Sequence, residues 1–291
     1  MATDYGFLLG YAGYGKIGES NVRILSGNVM RTLQIPTAGS FYSGTDTLNY
    51  SSGTSDSSGS SSIPISKIRL GYGVYSFNGS ITLEITKAWL QGFLTSNLFQ
   101  RTHSFNLTMN DGEQKLTLNG NVWNSISFNY AAQQIPTCSI SFQSYNGKNE
   151  DLQITSESPT QKTAPSDFVN YWESGISGME CENFNLTFNR QVAPVYLNGS
   201  GKVPSYIKAG LTEMNVSATC YDVSLPSSFA INLGGVTVKI PNTALDEALQ
   251  NKSYNISGLN NAGMRVFTLT GIRDSSAYKI FTIETENKTT K

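Results

Sequence analysis

Phe105-Asn-Leu-Thr-Met-Asn-Asp-Gly112, continued by Glu113-Gln-Lys-Leu-Thr-Leu-Asn-Gly120, decides how the rest of the chain is read. Phe105, Leu107 and Met109 alternate with polar residues, as do Leu116 and Leu118, which is the period of a half-buried strand. Between the two runs stands Asn110-Asp-Gly112, whose residues accept the backbone angles of a tight turn. The stretch predicts a β-hairpin. Working outward, Asn119-Gly120 is a second turn signal, and Ile126-Ser-Phe-Asn-Tyr130 and Thr137-Cys-Ser-Ile-Ser-Phe142 repeat the alternation. So do Ile81, Leu83 and Ile85 upstream, and Met214 to Cys220, Val236 to Ile240, Val266 to Thr270 and Tyr278 to Ile283 downstream.

Helical periodicity is rare. Trp89 and Phe93, with Leu90, Leu94 and Leu98, fall at a spacing of four and predict a helix within 84–99, weakened by Gly92. A second short helix is expected over 166–175, with Ser166 as its cap and Gly175 as its stop, and a short capped helix or turn over 242–249. Trp89 and Trp172 would then fill cores. Three landmarks also recur in order: Trp89-x-x-Gly92 as Trp172-x-x-Gly175, Phe105-Asn-Leu-Thr108 as Phe184-Asn-Leu-Thr187, and Thr137-Cys138 as Thr219-Cys220. Their offsets are 83, 79 and 82 residues, which suggests an internal duplication. The expected class is mainly β: two related β-sandwich or barrel domains, each with a short flanking helix. The expected division is an N-terminal arm with a Ser/Gly-rich loop over 1–62, a first β-domain over 63–150 and a second over 151–291. Residues 51–62, SSGTSDSSGSSS, read as a linker.

Composition narrows the function. The 291 residues carry a formal charge of −1, so no basic surface favours nucleic acid. Only 14% are charged, against about 25% in ordinary globular domains, and Ser, Thr, Asn, Gly and Tyr take their place. A polar, weakly charged surface suits a β protein that meets neighbours over much of its area. The 38% apolar content argues against disorder. Met1-Ala-Thr-Asp-Tyr-Gly6 reads as no signal peptide, and no apolar run reaches a membrane-spanning length. Cys138, Cys181 and Cys220 are odd in number and widely spaced, so a disulfide framework is not expected, and no Cys/His cluster suggests zinc.

Catalytic patterns are incomplete. Gly10-Tyr-Ala-Gly-Tyr-Gly-Lys16-Ile17 approaches a phosphate-binding loop, but Ile17 stands where a Mg²⁺-binding Ser or Thr is needed, and no helix is expected to follow. It reads better as a Gly/Tyr-rich turn or arm. His103 is the sole histidine, with Ser104 beside it and facing away on a strand. Glu180 and Glu182 share a strand face, and Glu150-Asp151 and Asp246-Glu247 are further acidic pairs, all read as solvated edges. The expectation is no enzyme and no catalytic, cofactor-binding or metal-binding residues.

Glu182-Asn-Phe-Asn-Leu-Thr-Phe-Asn189, the turn-rich Ala193-Pro-Val-Tyr-Leu-Asn-Gly199, and the return through Tyr206 to Cys220 with Gly210, Glu213 and Val216 together resemble the tail tube proteins of tailed bacteriophages. Asn261-Ala-Gly-Met-Arg-Val-Phe-Thr-Leu269 is similar to the last strand of that family. The resemblance covers about 165–285 and, through the duplication, 63–145. It implies a small β-sandwich or barrel with a flanking helix, assembled in a hexameric ring, or a trimeric pseudo-hexamer. Such rings stack into a tube that passes DNA through its lumen without specific binding. Partners would be further copies and other tail proteins (sheath, terminator, baseplate or tip), with no membrane. The place would be the virion tail, after synthesis in the host cytoplasm. A carbohydrate-binding β-sandwich module, such as an adhesin or tail-tip protein, is the alternative, and exposed Trp and Tyr on one face would mark it.

Overall fold

A computed structural model describes residues 2–7, 13–34, 37–38, 47–50, 61–64, 69–70, 73–156, 166–198, 201–223, 229–240, 254–259, 265–273 and 281–285. The alternating runs form strands. They are β1 Ala2–Phe7, β2 Tyr14–Ile17, β3 Ser20–Gln34, β4 Thr37–Ala38, β5 Thr47–Tyr50, β6 Ser61–Pro64, β7 Arg69–Leu70, β8 Val74–Glu84, β9 Phe105–Asn110, β10 Gln114–Ala131 and β11 Thr137–Ser144. After them come β12 Gln153–Ser156, β13 Ser174–Ile176, β14 Met179–Val195, β15 Tyr206–Val223, β16 Phe229–Leu233, β17 Val236–Ile240, β18 Tyr254–Leu259, β19 Arg265–Arg273 and β20 Thr282–Thr285. One α-helix, α1 Lys87–Phe93, stands among the described residues.

The quoted hairpin is β9–β10. Asn110 Oδ1 accepts from Gly112 N at 2.7 Å, Asp111 Oδ1 accepts from Gln114 N at 2.7 Å, and Gly112 takes a φ of 102° that a Cβ would oppose. Six antiparallel strands close on themselves in the order β2–β3–β8–β11–β10–β9 and back to β2. Closure leaves no free edge in that ring. β10 is 18 residues long. It pairs with β9 through Lys115–Asn121 and with β14 through Ser125–Ala131, so it leaves the barrel as the first strand of a sheet β10–β14–β15–β19–β18. A second sheet, β13–β16–β17–β20, packs on that extension, with Phe229 of β16 stacked on Phe267 of β19 at 5.6 Å. One hydrophobic cluster runs through all of these layers. Burying it is the main favourable term of the fold.

The helix expected within 84–99 forms as α1, followed by a 3-10 turn Ser96–Phe99. The Thr86 hydroxyl caps it by accepting from Trp89 N at 3.3 Å. Trp89 is fully buried, stacks on Phe93 at 5.1 Å and reaches Phe128 of β10. The helix expected over 166–175 is absent: only a 3-10 turn, Tyr171–Glu173, forms there. The reason is tertiary. Residues 167–169 run extended beside α1, where the Asp167 carboxylate accepts from Ala88 N at 2.8 Å and its carbonyl from Lys87 N at 2.9 Å. Asp167 thus caps α1 in place of starting a helix of its own. The segment expected as a short capped helix or turn, 242–249, lies outside the described residues.

The three repeated landmarks occupy different places. Phe105-Asn-Leu-Thr108 opens a six-residue strand, whereas Phe184-Asn-Leu-Thr187 lies within a strand of 17 residues. Thr137-Cys138 opens the second strand after β9, whereas Thr219-Cys220 sits near the end of the strand next to β14. Both tetrapeptides put Phe and Leu inside and Asn and Thr outside. That shared demand of a half-buried strand explains the recurrence without a common fold. Residues 14–34, in the stretch expected as an arm, form barrel strands β2 and β3. Across the expected boundary at 150, β10 and β14 are hydrogen-bonded neighbours.

Candidate assembly surface

Gly15 stands in β2 between β3 and β9, where a Cβ would lie 2.3 Å from Ile24 Cδ1 and 2.4 Å from the Thr108 carbonyl oxygen. Its small size serves strand packing. Lys16 and Ile17 continue β2, so no helix N-terminus follows to hold a phosphate. His103 is half-buried. Burial lowers its pKa, and the nearby Arg190 charge lowers it further, so the ring is neutral near pH 7. Among the described residues, no hydrogen bond joins its imidazole to a serine or a carboxylate. Glu180 and Glu182 both face solvent from β14 on either side of Cys181. Asp151 pairs with Arg31, and Glu150 lies 4.0 Å from Lys202. Asp246 and Glu247 lie outside the described residues.

Trp172 is the correction among the aromatic residues: it is 79% exposed, whereas Trp89 fills the core as expected. It borders a cleft of about 440 Å³ with Ile135, Gln133, Gln134, Arg23 and Glu84. Its neighbour Tyr171 stands edge-on to it, and the Tyr171 hydroxyl is engaged by the Cys181 carbonyl. The pair therefore offers one exposed ring rather than a flat two-ring platform for a sugar.

The largest regular surface emerges from strand register. One row of side chains runs Ser26, Thr82, Ser139, Ser127, Thr187 and Asn215 across β3, β8, β11, β10, β14 and β15. The row beside it runs Asn28, Ser80, Ser141, Ser125, Asn189 and Glu213. A third begins at Thr137 and passes through Asn129, Asn185 and Ser217 to Thr268 of β19. All of these side chains lie on the outward face of their strands, opposite buried Phe, Leu, Ile, Val and Met. Among the named positions Glu213 is the one carboxylate and no lysine or arginine occurs; in register with them, Glu84 of β8 stands beside Thr137 and pairs with Arg23, and Arg273 of β19 stands beside Glu213.

The rows are knit sideways. Thr82 and Ser139 hydroxyls lie 3.0 Å apart, Ser127 and Thr187 3.1 Å apart, and Ser80 Oγ donates to Asn28 Oδ1 at 2.7 Å. Ser125 Oγ donates to Asn189 Oδ1 at 2.9 Å, and Asn185 Nδ2 donates to Ser127 Oγ at 2.9 Å and to Asn129. Each such cross-strand pair adds only a fraction of a kcal/mol, yet together they hold short side chains flat against the sheet. The result is a smooth, hydrated, nearly neutral face spanning both the barrel and its extension.

The expectation of a β-rich assembling protein carried no list of surface residues, and the rows were not singled out from sequence. The signal was present in the outward positions of each alternating run, which are repeatedly Ser, Thr or Asn. Register, which alignment of single strands cannot supply, turns those positions into rows.

Comparison with protein families gives one match: the model of a family described as phage tail tube protein fits residues 32–259, from within β3 to the end of β18. No curated protein matches the chain.

Proposed function

We propose, because the chain belongs to the phage tail tube protein family, that this structural protein of the virion tail assembles in closed rings which stack into a tube, with its Ser/Thr/Asn rows facing the lumen. The observation that carries the reading is the neutral face itself. Double-stranded DNA bears a charge about every 1.7 Å, and each phosphate neutralised by Lys or Arg strengthens binding in a salt-dependent way. A wall of short hydroxyl and amide side chains offers DNA water-like contacts, and the arginines at its margins stand beside carboxylates. DNA can then slide during ejection without being held.

Ring closure follows the ordinary logic of heterologous interfaces, in which the same two patches meet around an axis. The barrel and the packed extension differ in strand number and order, which favours six copies per ring over three. In this reading the other tail components, such as sheath, terminator, and baseplate or tip, meet the tube's outside and ends. The chain is made in the host cytoplasm before joining the virion.

The test is the rate of DNA release from particles whose tubes carry Ser127→Lys together with Thr187→Lys. Both positions are solvent-facing and adjacent. Tubes should still form, and release should slow by roughly tenfold or more at low salt and recover as salt is raised, because each ring gains many phosphate contacts. Release at the wild-type rate, from tubes of normal length at every salt concentration, would contradict the lumen assignment.

A further inference from the structure

The wide spacing and odd number of the cysteines argued against a disulfide framework; register makes Cys181 and Cys220 direct cross-strand partners on β14 and β15. Directly opposed residues of an antiparallel pair have Cα atoms about 4.5–5.5 Å apart, inside the range that a disulfide spans. Both side chains lie on the inner side of the sheet: Cys220 is fully buried in the core and Cys181, half-buried, packs against the same cluster. β14 shifts register on both sides of Cys181, giving the backbone local freedom to adjust. The Tyr171 hydroxyl donates to the Cys181 carbonyl and fixes this residue against the 3-10 turn before β13.

We infer that Cys181 and Cys220 form an oxidation-dependent disulfide that locks β14 to β15 once the protein leaves a reducing compartment. The reaction needs a two-electron oxidant, and a small-molecule disulfide supplies it. The half-exposed Cys181, as its thiolate, attacks one sulfur of that disulfide; its proton goes to solvent and the first small thiolate leaves. Cys220, losing its proton to the departing small thiolate, then attacks Cys181 Sγ; the protein S–S bond forms and the second small molecule leaves as a thiol. Two protein thiols are oxidised and one small disulfide is reduced to two thiols. Cys138 lies apart on β11, fully buried, with its thiol pKa pushed up by burial, so it is an internal control.

The experiment uses the full chain, reduced and then exposed to oxidised glutathione. Thiols are alkylated after unfolding and cysteine peptides are mapped by mass spectrometry. Before alkylation the expected product is about 2 Da lighter than the reduced chain; after it, one alkyl group sits on Cys138 and digestion yields a linked Cys181–Cys220 peptide. Its thermal midpoint should exceed that of the reduced chain by on the order of 5 °C, a gap that Cys181→Ser abolishes. Three alkylated cysteines after prolonged oxidation, a bond that includes Cys138, or only chain-to-chain disulfides would each overturn the inference. The peptide map is read on the native sequence, so the test does not depend on the variant folding.

Discussion

Arg190 shows how much one residue can hold. It is 5% exposed, and no carboxylate faces it among the described residues. Burial pushes its pKa down. Its guanidinium lies 3.8 Å over the Trp123 ring, while Nε donates to the Trp123 carbonyl at 2.8 Å and Nη1 to the Gln100 carbonyl at 3.2 Å. Ring and carbonyls offset the burial, and the side chain ties β14 to the segment between α1 and β9. A lysine has neither the planar stacking surface nor the fork that reaches both carbonyls. Arg190→Lys should therefore cost about 2 kcal/mol, measured as a lower denaturant midpoint at constant slope. An unchanged midpoint would show that the fork is dispensable. The sequence held a clue: Phe184, Leu186, Phe188 and Arg190 share one strand face, so alternation placed this charge inward. What alternation could not tell is that an aromatic face awaited it. Trp172 fails the other way, because its apolar neighbours suggested a helix that the Asp167 cap on α1 precludes.

At the scale of elements, hairpins were the most legible. Asn110-Asp-Gly112 specified the β9–β10 turn through contacts within five residues, and local chemistry of that kind survives in any context. The turn carries a pH dependence. Backbone amides of Gln114 and Glu113 donate to the Asp111 carboxylate and hold its pKa below the ordinary value of 3.8. A carboxylate whose pKa is lower folded than unfolded adds stability that is fully present above the unfolded pKa. That stability is lost as pH falls through the folded one. Asp111→Asn should thus flatten the fall in stability below about pH 4 while changing little at pH 7, as read by urea midpoints across pH 2 to 7. An identical acid slope would contradict the assignment. α1 was equally legible, since its apolar stripe and Thr86 cap are both local. The Cys181–Cys220 pairing and the hydroxyl rows were not, because each depends on which strands neighbour one another and in what register.

For the whole molecule, the class could be read and the closure could not. The barrel takes β2 and β3 from before the Ser/Gly-rich segment and the other four strands from after it, a long-range pairing that no local pattern announces. Landmarks with nearly one offset suggested a duplication, but strands of the same half-buried design reuse the same residues. The resemblance to tail tube proteins, carried by the β14–β15 hairpin, agrees with the family match over 32–259. On the proposed function, this fold builds a tube whose lumen is lined by the Ser/Thr/Asn rows. A cryo-EM reconstruction of tubes, from native particles or from the purified chain at high concentration, tests it most directly. Stacked rings with Thr82, Ser127, Thr187 and Asn215 facing the central channel are expected. A chain that stays monomeric and is missing from the tail, or a tube in which those side chains face outward and lysines line the channel, would contradict it.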